Sequence, residues 1–126
     1  MKIIDNYEAK IWLGLRSGYT NKYFEIAEVS EVISNWCTDK GQCVTITPTE
    51  FFYAKNDETG TGREPGLIIG FINYPRYPLS EAEIRNRVRE LTELLMKKFN
   101  QHRVSITFYP SVPGGTVMIE NEEIKG

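Results

Sequence analysis

Apolar and polar residues alternate from Ala9 to Leu15. Ala9, Ile11, Leu13 and Leu15 share one parity, and Lys10, Trp12 and Gly14 share the other. A period of two predicts a half-buried strand. Ser17, Gly18, Tyr19, Thr20 and Asn21 then supply turn residues and a candidate helix cap. Ile26, Val29, Ile33, Trp36 and Cys37 recur at helical spacing, so a helix is expected near 22–38, with Gly41 as its left-handed terminator. Gln42 to Ala54 is a second extended stretch, and Pro48 marks it as an edge strand or a bent one. Lys55 to Gly66, with three glycines and a proline, reads as an exposed loop. Leu67 to Tyr74 is apolar on both parities, as a central strand would be.

Ser80 and Glu83 form a capping box, which starts a helix over about 80–100. Its buried stripe is Ile84, Val88, Leu91, Leu95 and Phe99. Arg103 to Tyr109 alternates again, and the run from Pro113 to Gly115 turns the chain into a short last strand, Thr116 to Glu120. The order is β-α-β-β-α-β plus one C-terminal strand. This predicts an α+β, ferredoxin-like antiparallel sheet with two helices on one face. The helices should cover Ile11, Leu13, Leu15, Val104, Ile106 and Phe108. The other face keeps Trp12, Thr107 and one side of the third strand, and such a face predicts a partner. A homo-oligomer is the first expectation. No repeat or linker divides the chain, so residues 1–126 read as one domain.

Charge and composition narrow the classes. The chain has 126 residues, 15 basic and 17 acidic, for a net charge of −2. No bulk cationic field exists to hold nucleic acid or an anionic membrane. The N-terminal decad lacks a long apolar run and Leu67 to Ile72 is too short to span a bilayer, so a cytoplasmic protein is expected. The only cysteines, Cys37 and Cys43, form no CxxC pair, and there is one histidine. Two buried thiols are the expectation, with no metal and no cofactor.

Two strands carry a resemblance. Ile11-Trp12-Leu13-Gly14-Leu15 and Gly70-Phe71-Ile72-Asn73-Tyr74 resemble the two sheet signatures of the RNA-recognition motif family. The resemblance implies base stacking on Trp12 and Phe71. The second signature departs from the pattern, with Leu67 and Ile68 where a basic residue and glycine belong and Ile69 where a stacking ring belongs. Nucleic-acid binding is therefore the minor reading beside ordinary strand hydrophobicity.

Basic and aromatic residues cluster at element ends. Arg16, Tyr19, Arg76 and Tyr77 are the leading ligand-binding candidates, with Arg63 and Arg103 behind them. Guanidinium forks beside rings suit a small anionic, nucleotide-like ligand. Catalytic patterns are sparse: there is no GxSxG, P-loop or HExxH, and Gly60-Thr61-Gly62-Arg63 lacks the strand–loop–helix context of a phosphate cradle. The enzyme alternative rests on His102 as general acid or base. Arg85, Arg87 and Arg89 read as a solvated helix face offset by glutamates.

Longer phrases, Ile11 to Thr20, Cys43 to Tyr53 and Leu67 to Pro78, resemble small accessory proteins of tailed phages and prophages. That resemblance brings no activity or site residues and implies action by binding a host protein or a nucleotide signal. A non-enzymatic binding module is the expectation these readings favour together.

Overall fold

A computed structural model describes residues 1–54, 62–110 and 116–121. The elements are β1 (Glu8–Gly14), α1 (Ile26–Lys40), β2 (Thr45–Phe52), β3 (Arg63–Ile72), α2 (Glu81–Lys98), β4 (Arg103–Tyr109) and β5 (Val117–Glu120). The sheet runs β2-β3-β1-β4-β5, and every neighbouring pair is antiparallel. Each helix therefore crosses over one strand: β3 lies between β1 and β2, and β1 lies between β3 and β4. This is the ferredoxin-like α+β arrangement expected from the order of periods, with β5 added at one edge.

One parity of each central strand forms the core. Ile11, Leu13, Ile69, Phe71, Val104 and Ile106 are buried, and Ile11 lies opposite both Ile69 and Ile106. The helices supply Val29, Ile33 and Trp36 from α1 and Ile84, Val88, Leu91 and Leu95 from α2. Trp36 meets Phe71 edge to face, with ring centroids 6.2 Å apart. Helix starts and stops follow local chemistry. The Ser80 Oγ accepts from the Glu83 N–H at 3.1 Å, and the Glu83 carboxylate accepts from the Ser80 N–H at 3.2 Å. Gly41 ends α1 at φ 65°, where the left-handed backbone favours glycine.

Four expectations need correction. Phe71 pairs with Ala9 on the core parity and is 1% exposed, whereas Trp12 pairs with Ile68 on the opposite face. The two rings cannot stack bases together, so the RNA-recognition reading fails on register. β3 starts at Arg63, four residues before the expected Leu67, because Arg63 to Gly66 pair with β2. Pro65 is tolerated in this central strand because its carbonyl accepts from Leu15 N–H just past the end of β1, where no ladder donor is required. The rest of the expected loop, 55–61, and the expected turn 113–115 lie outside the described residues. Cys43 is exposed and Cys37 half-buried, because the chain leaves α1 at Gly41 and carries Cys43 outward. Arg85 is not simply solvated: it pairs with Glu81 at 2.7 Å and lies 4.6 Å over the Phe108 ring.

Candidate functional site

The parity of β3 that faces away from the helices reads Glu64, Gly66, Ile68, Gly70 and Ile72. Glu64 lies opposite Phe51 of β2, close to the end of β1. Gly14 leaves the space that its carboxylate occupies: a Cβ built there would sit 2.5 Å from Glu64 Oε2. Gly66 has the same relation to the Phe51 ring, whose Cε2 and Cδ2 atoms occupy the space where a Cβ would sit. Two glycines thus let a carboxylate and a phenyl ring rest on the sheet surface.

Glu64 is only 7% exposed, and a charge held there needs donors. It has two among the described residues. The Arg16 N–H donates to Oε2 at 2.9 Å, and the Tyr53 hydroxyl donates to Oε1 at 2.5 Å. A carboxylate offers about four acceptor positions, so capacity remains for a ligand. Arg16 is itself 5% exposed. Its Nε donates to Gly18 O at 3.3 Å, and its carbonyl accepts from Gln101 Nε2 at 2.7 Å. The same Gln101 amide donates to Phe99 O at 2.8 Å, which pins the β1 exit against the α2 exit.

Around this carboxylate lies a cavity of about 390 Å³, within the size range of small-molecule sites. Trp12, Phe51, Tyr53, Tyr19, His102 and Arg103 line it, with Trp12, Phe51 and Arg103 coming from the strands β1, β2 and β4. Trp12 is fixed by its indole N–H, which donates to Thr107 Oγ1 at 3.2 Å. His102 Nδ1 donates to the Asn121 carbonyl at 3.0 Å, an acceptor that requires the proton on that nitrogen. The His102 ring also packs on Tyr19, centroids 5.7 Å apart.

No family model and no curated protein matches the chain. Two solved structures do. A phage SAM lyase in its apo state superposes with a TM-score of 0.71 at 20% identity, over 92% of this chain and 90% of that one. A phage SAM lyase in complex with S-methyl-5'-thioadenosine superposes with a TM-score of 0.70 at 20% identity, over 95% and 93%. The structural relatives are phage proteins, as the accessory-protein resemblance implied, and one of them holds a small nucleoside-like ligand. They are also an enzyme, and this overturns the expectation of a non-enzymatic binding module.

The residues singled out by sequence divide in space. Arg16, Tyr19 and Arg103 meet at the Glu64 cavity together with Trp12 and His102. Arg103 is half-exposed, its Nε 3.7 Å from Glu120 Oε1. Arg63 adjoins Glu64 in sequence but points to the other parity, 3.9 Å from Glu50. Arg76 and Tyr77 lie beyond the far end of β3, with the guanidinium 5.5 Å over the Tyr77 ring. Glu64, Tyr53 and Gln101 escaped the sequence reading. The usable signal was parity: Glu64 falls on the same face as Ile68, opposite the core residues Leu67 and Ile69.

Proposed function

We propose that this protein is a lyase acting on S-adenosylmethionine, with the Glu64 cavity as its site. The observation that carries this reading is the buried Glu64 carboxylate in a ring-walled cavity, within a fold shared with a phage SAM lyase seen with S-methyl-5'-thioadenosine. S-adenosylmethionine presents a sulfonium cation, an ammonium, a carboxylate and an adenine ring. Glu64 attracts the cationic part of such a ligand. The Trp12 and Phe51 rings suit both a cation and a planar base. Arg103, half-exposed at the cavity, balances the substrate's carboxylate from the rim.

In the proposed reaction the bond from the sulfonium sulfur to the four-carbon amino-acid unit breaks. Its electron pair goes to sulfur, which departs as the neutral thioether S-methyl-5'-thioadenosine. The carbon left behind bonds to the carboxylate oxygen of its own unit, closing a lactone, so no water and no base are consumed. Opposite charges cancel along this path, and a cavity lined with rings favours that over bulk water. Binding Glu64 to the ammonium rather than the sulfonium keeps its contact through the transition state.

Assembly belongs to the same reading: a second copy on the open face would cover apolar surface beside the cavity. The activity test is incubation with S-adenosylmethionine and chromatographic detection of S-methyl-5'-thioadenosine. Glu64→Gln keeps the shape and an acceptor for Arg16 N–H, and it is expected to lower kcat/KM about a hundredfold or more with the melting temperature little changed. Wild-type protein that releases no thioether sinks the proposal. Undiminished turnover by Glu64→Gln moves the site elsewhere.

A further inference from the structure

A second cavity, of about 300 Å³, opens between the exit of α1, the turn after β3 and the outer flank of α2. It lies at the other end of the molecule from Glu64. β3 runs from Glu64 to Ile72, about 27 Å at 3.4 Å per residue, and then delivers Tyr74 and Tyr77 to this cavity. Its polar centre is Arg87. The guanidinium Nη1 donates to Gln42 Oε1 at 2.9 Å. Gln42 is 7% exposed, and its amide Nε2 donates to Cys43 O at 2.9 Å, which orients its oxygen toward the arginine.

That single bond is the whole of Arg87's hydrogen bonding among the described residues. The neighbouring acids are committed elsewhere: Glu90 pairs with Lys40 at 2.6 Å, and Glu83 closes the capping box on Ser80. A guanidinium has five N–H donors in a planar fork, so four stay uncommitted on a half-buried side chain. The cavity walls add the rings of Tyr74 and Tyr77, and Arg76 sits over the Tyr77 ring with a second positive charge. Burial raises the Tyr74 hydroxyl above its ordinary pKa, with the Cys43 and Cys37 thiols adding to the effect. It therefore remains a neutral donor.

We propose that this cavity is a second ligand site, for a small anion that carries a planar ring. The anionic group takes the open edge of the Arg87 fork, and the ring packs against Tyr74 and Tyr77. Fixed forks recognise carboxylate and phosphate by paired donors, and the rings supply apolar contact at low conformational cost. The site is independent of the Glu64 cavity and of the lyase reading.

The test is an NMR titration of the isotope-labelled full chain, following Arg87 Nε–H and the Tyr74 and Tyr77 ring signals. The probes are adenosine 5'-monophosphate for a phosphate and 4-hydroxybenzoate for a carboxylate, with S-methyl-5'-thioadenosine as an uncharged control. At least one anionic probe is expected to shift these three residues, in a salt-sensitive way, and the control is not. Which probe binds tighter assigns phosphate or carboxylate. Arg87→Gln is expected to weaken binding about tenfold or more, as loss of a charge-assisted pair does. Tyr77→Ala, at a residue 62% exposed, weakens it without threatening the fold. Silence of all three residues with both anions overturns the proposal, as does binding unchanged in Arg87→Gln.

Discussion

Gly14 and Gly66 make the Glu64 cavity possible by what they lack, and they respond differently to the same added methyl. At Gly14 the nearest atom is Glu64 Oε2 at 2.5 Å, the far end of a flexible side chain. Gly14→Ala should displace that carboxylate, reducing turnover at least tenfold at a stability cost near the lower end of the roughly 1–3 kcal/mol typical of an added methyl in a packed site. At Gly66 the methyl meets the Leu13 backbone carbonyl at 2.7 Å as well as the Phe51 ring. Backbone in a central ladder cannot yield, so Gly66→Ala should cost about 1–3 kcal/mol. Denaturant unfolding and thioether release on the two variants separate the effects. Full activity in Gly14→Ala would show that the carboxylate's position is immaterial. Sequence reading reached Arg16, Tyr19 and Arg103 because ring-and-arginine clusters at strand ends are a local signal. It missed Glu64 because Gly60, Gly62, Pro65 and Gly66 surround it with loop composition, and only pairing with β2 makes that stretch a strand.

Elements with local punctuation were the most legible. Ser80 starts α2 and Gly41 ends α1 by capping chemistry that acts within a single turn, and both boundaries were readable without tertiary information. By contrast, α1 starts at Ile26 with Glu25 as its N-cap, beyond the turn at 17–21 expected to cap it. Ser80→Ala removes the acceptor for Glu83 N–H and should cost about 1 kcal/mol. A Cβ at Gly41 meets nothing within 4 Å. The cost of Gly41→Ala is therefore conformational alone, about 1 kcal/mol for holding alanine at positive φ. Both variants should keep wild-type turnover, since neither residue lines the Glu64 cavity. Thermal melts beside activity assays check the pair, and a stability loss well beyond this in Gly41→Ala would mean that the cost there is not conformational alone. Strand register was less legible than helix ends. β3 owes its first four residues to pairing with β2, which the glycine and proline content of that stretch does not announce.

For the whole molecule, the alternation of periods was enough to order the layers, because two amphipathic helices and three alternating strands have few ways to bury their stripes. The same count leaves one sheet face without helices. Beyond the cavity, that face carries Ile72 and Tyr109, which flank Glu8 from either side and are 41% and 61% exposed. Met118 on the edge strand is 51% exposed. Such surface favours self-association, and a two-fold pairing of identical faces is the simplest closed form. Ile72 is the informative position: it is exposed, it is outside the core, and it lies at the opposite end of β3 from Glu64. Ile72→Glu places a charge in the proposed interface, where it would be buried unpaired. Light scattering at high micromolar concentration should find wild-type protein as a homo-oligomer and Ile72→Glu as a monomer with an unchanged circular dichroism spectrum. A monomeric wild type under those conditions rules out self-association through this face. An oligomer that survives Ile72→Glu intact places the contact on some other surface.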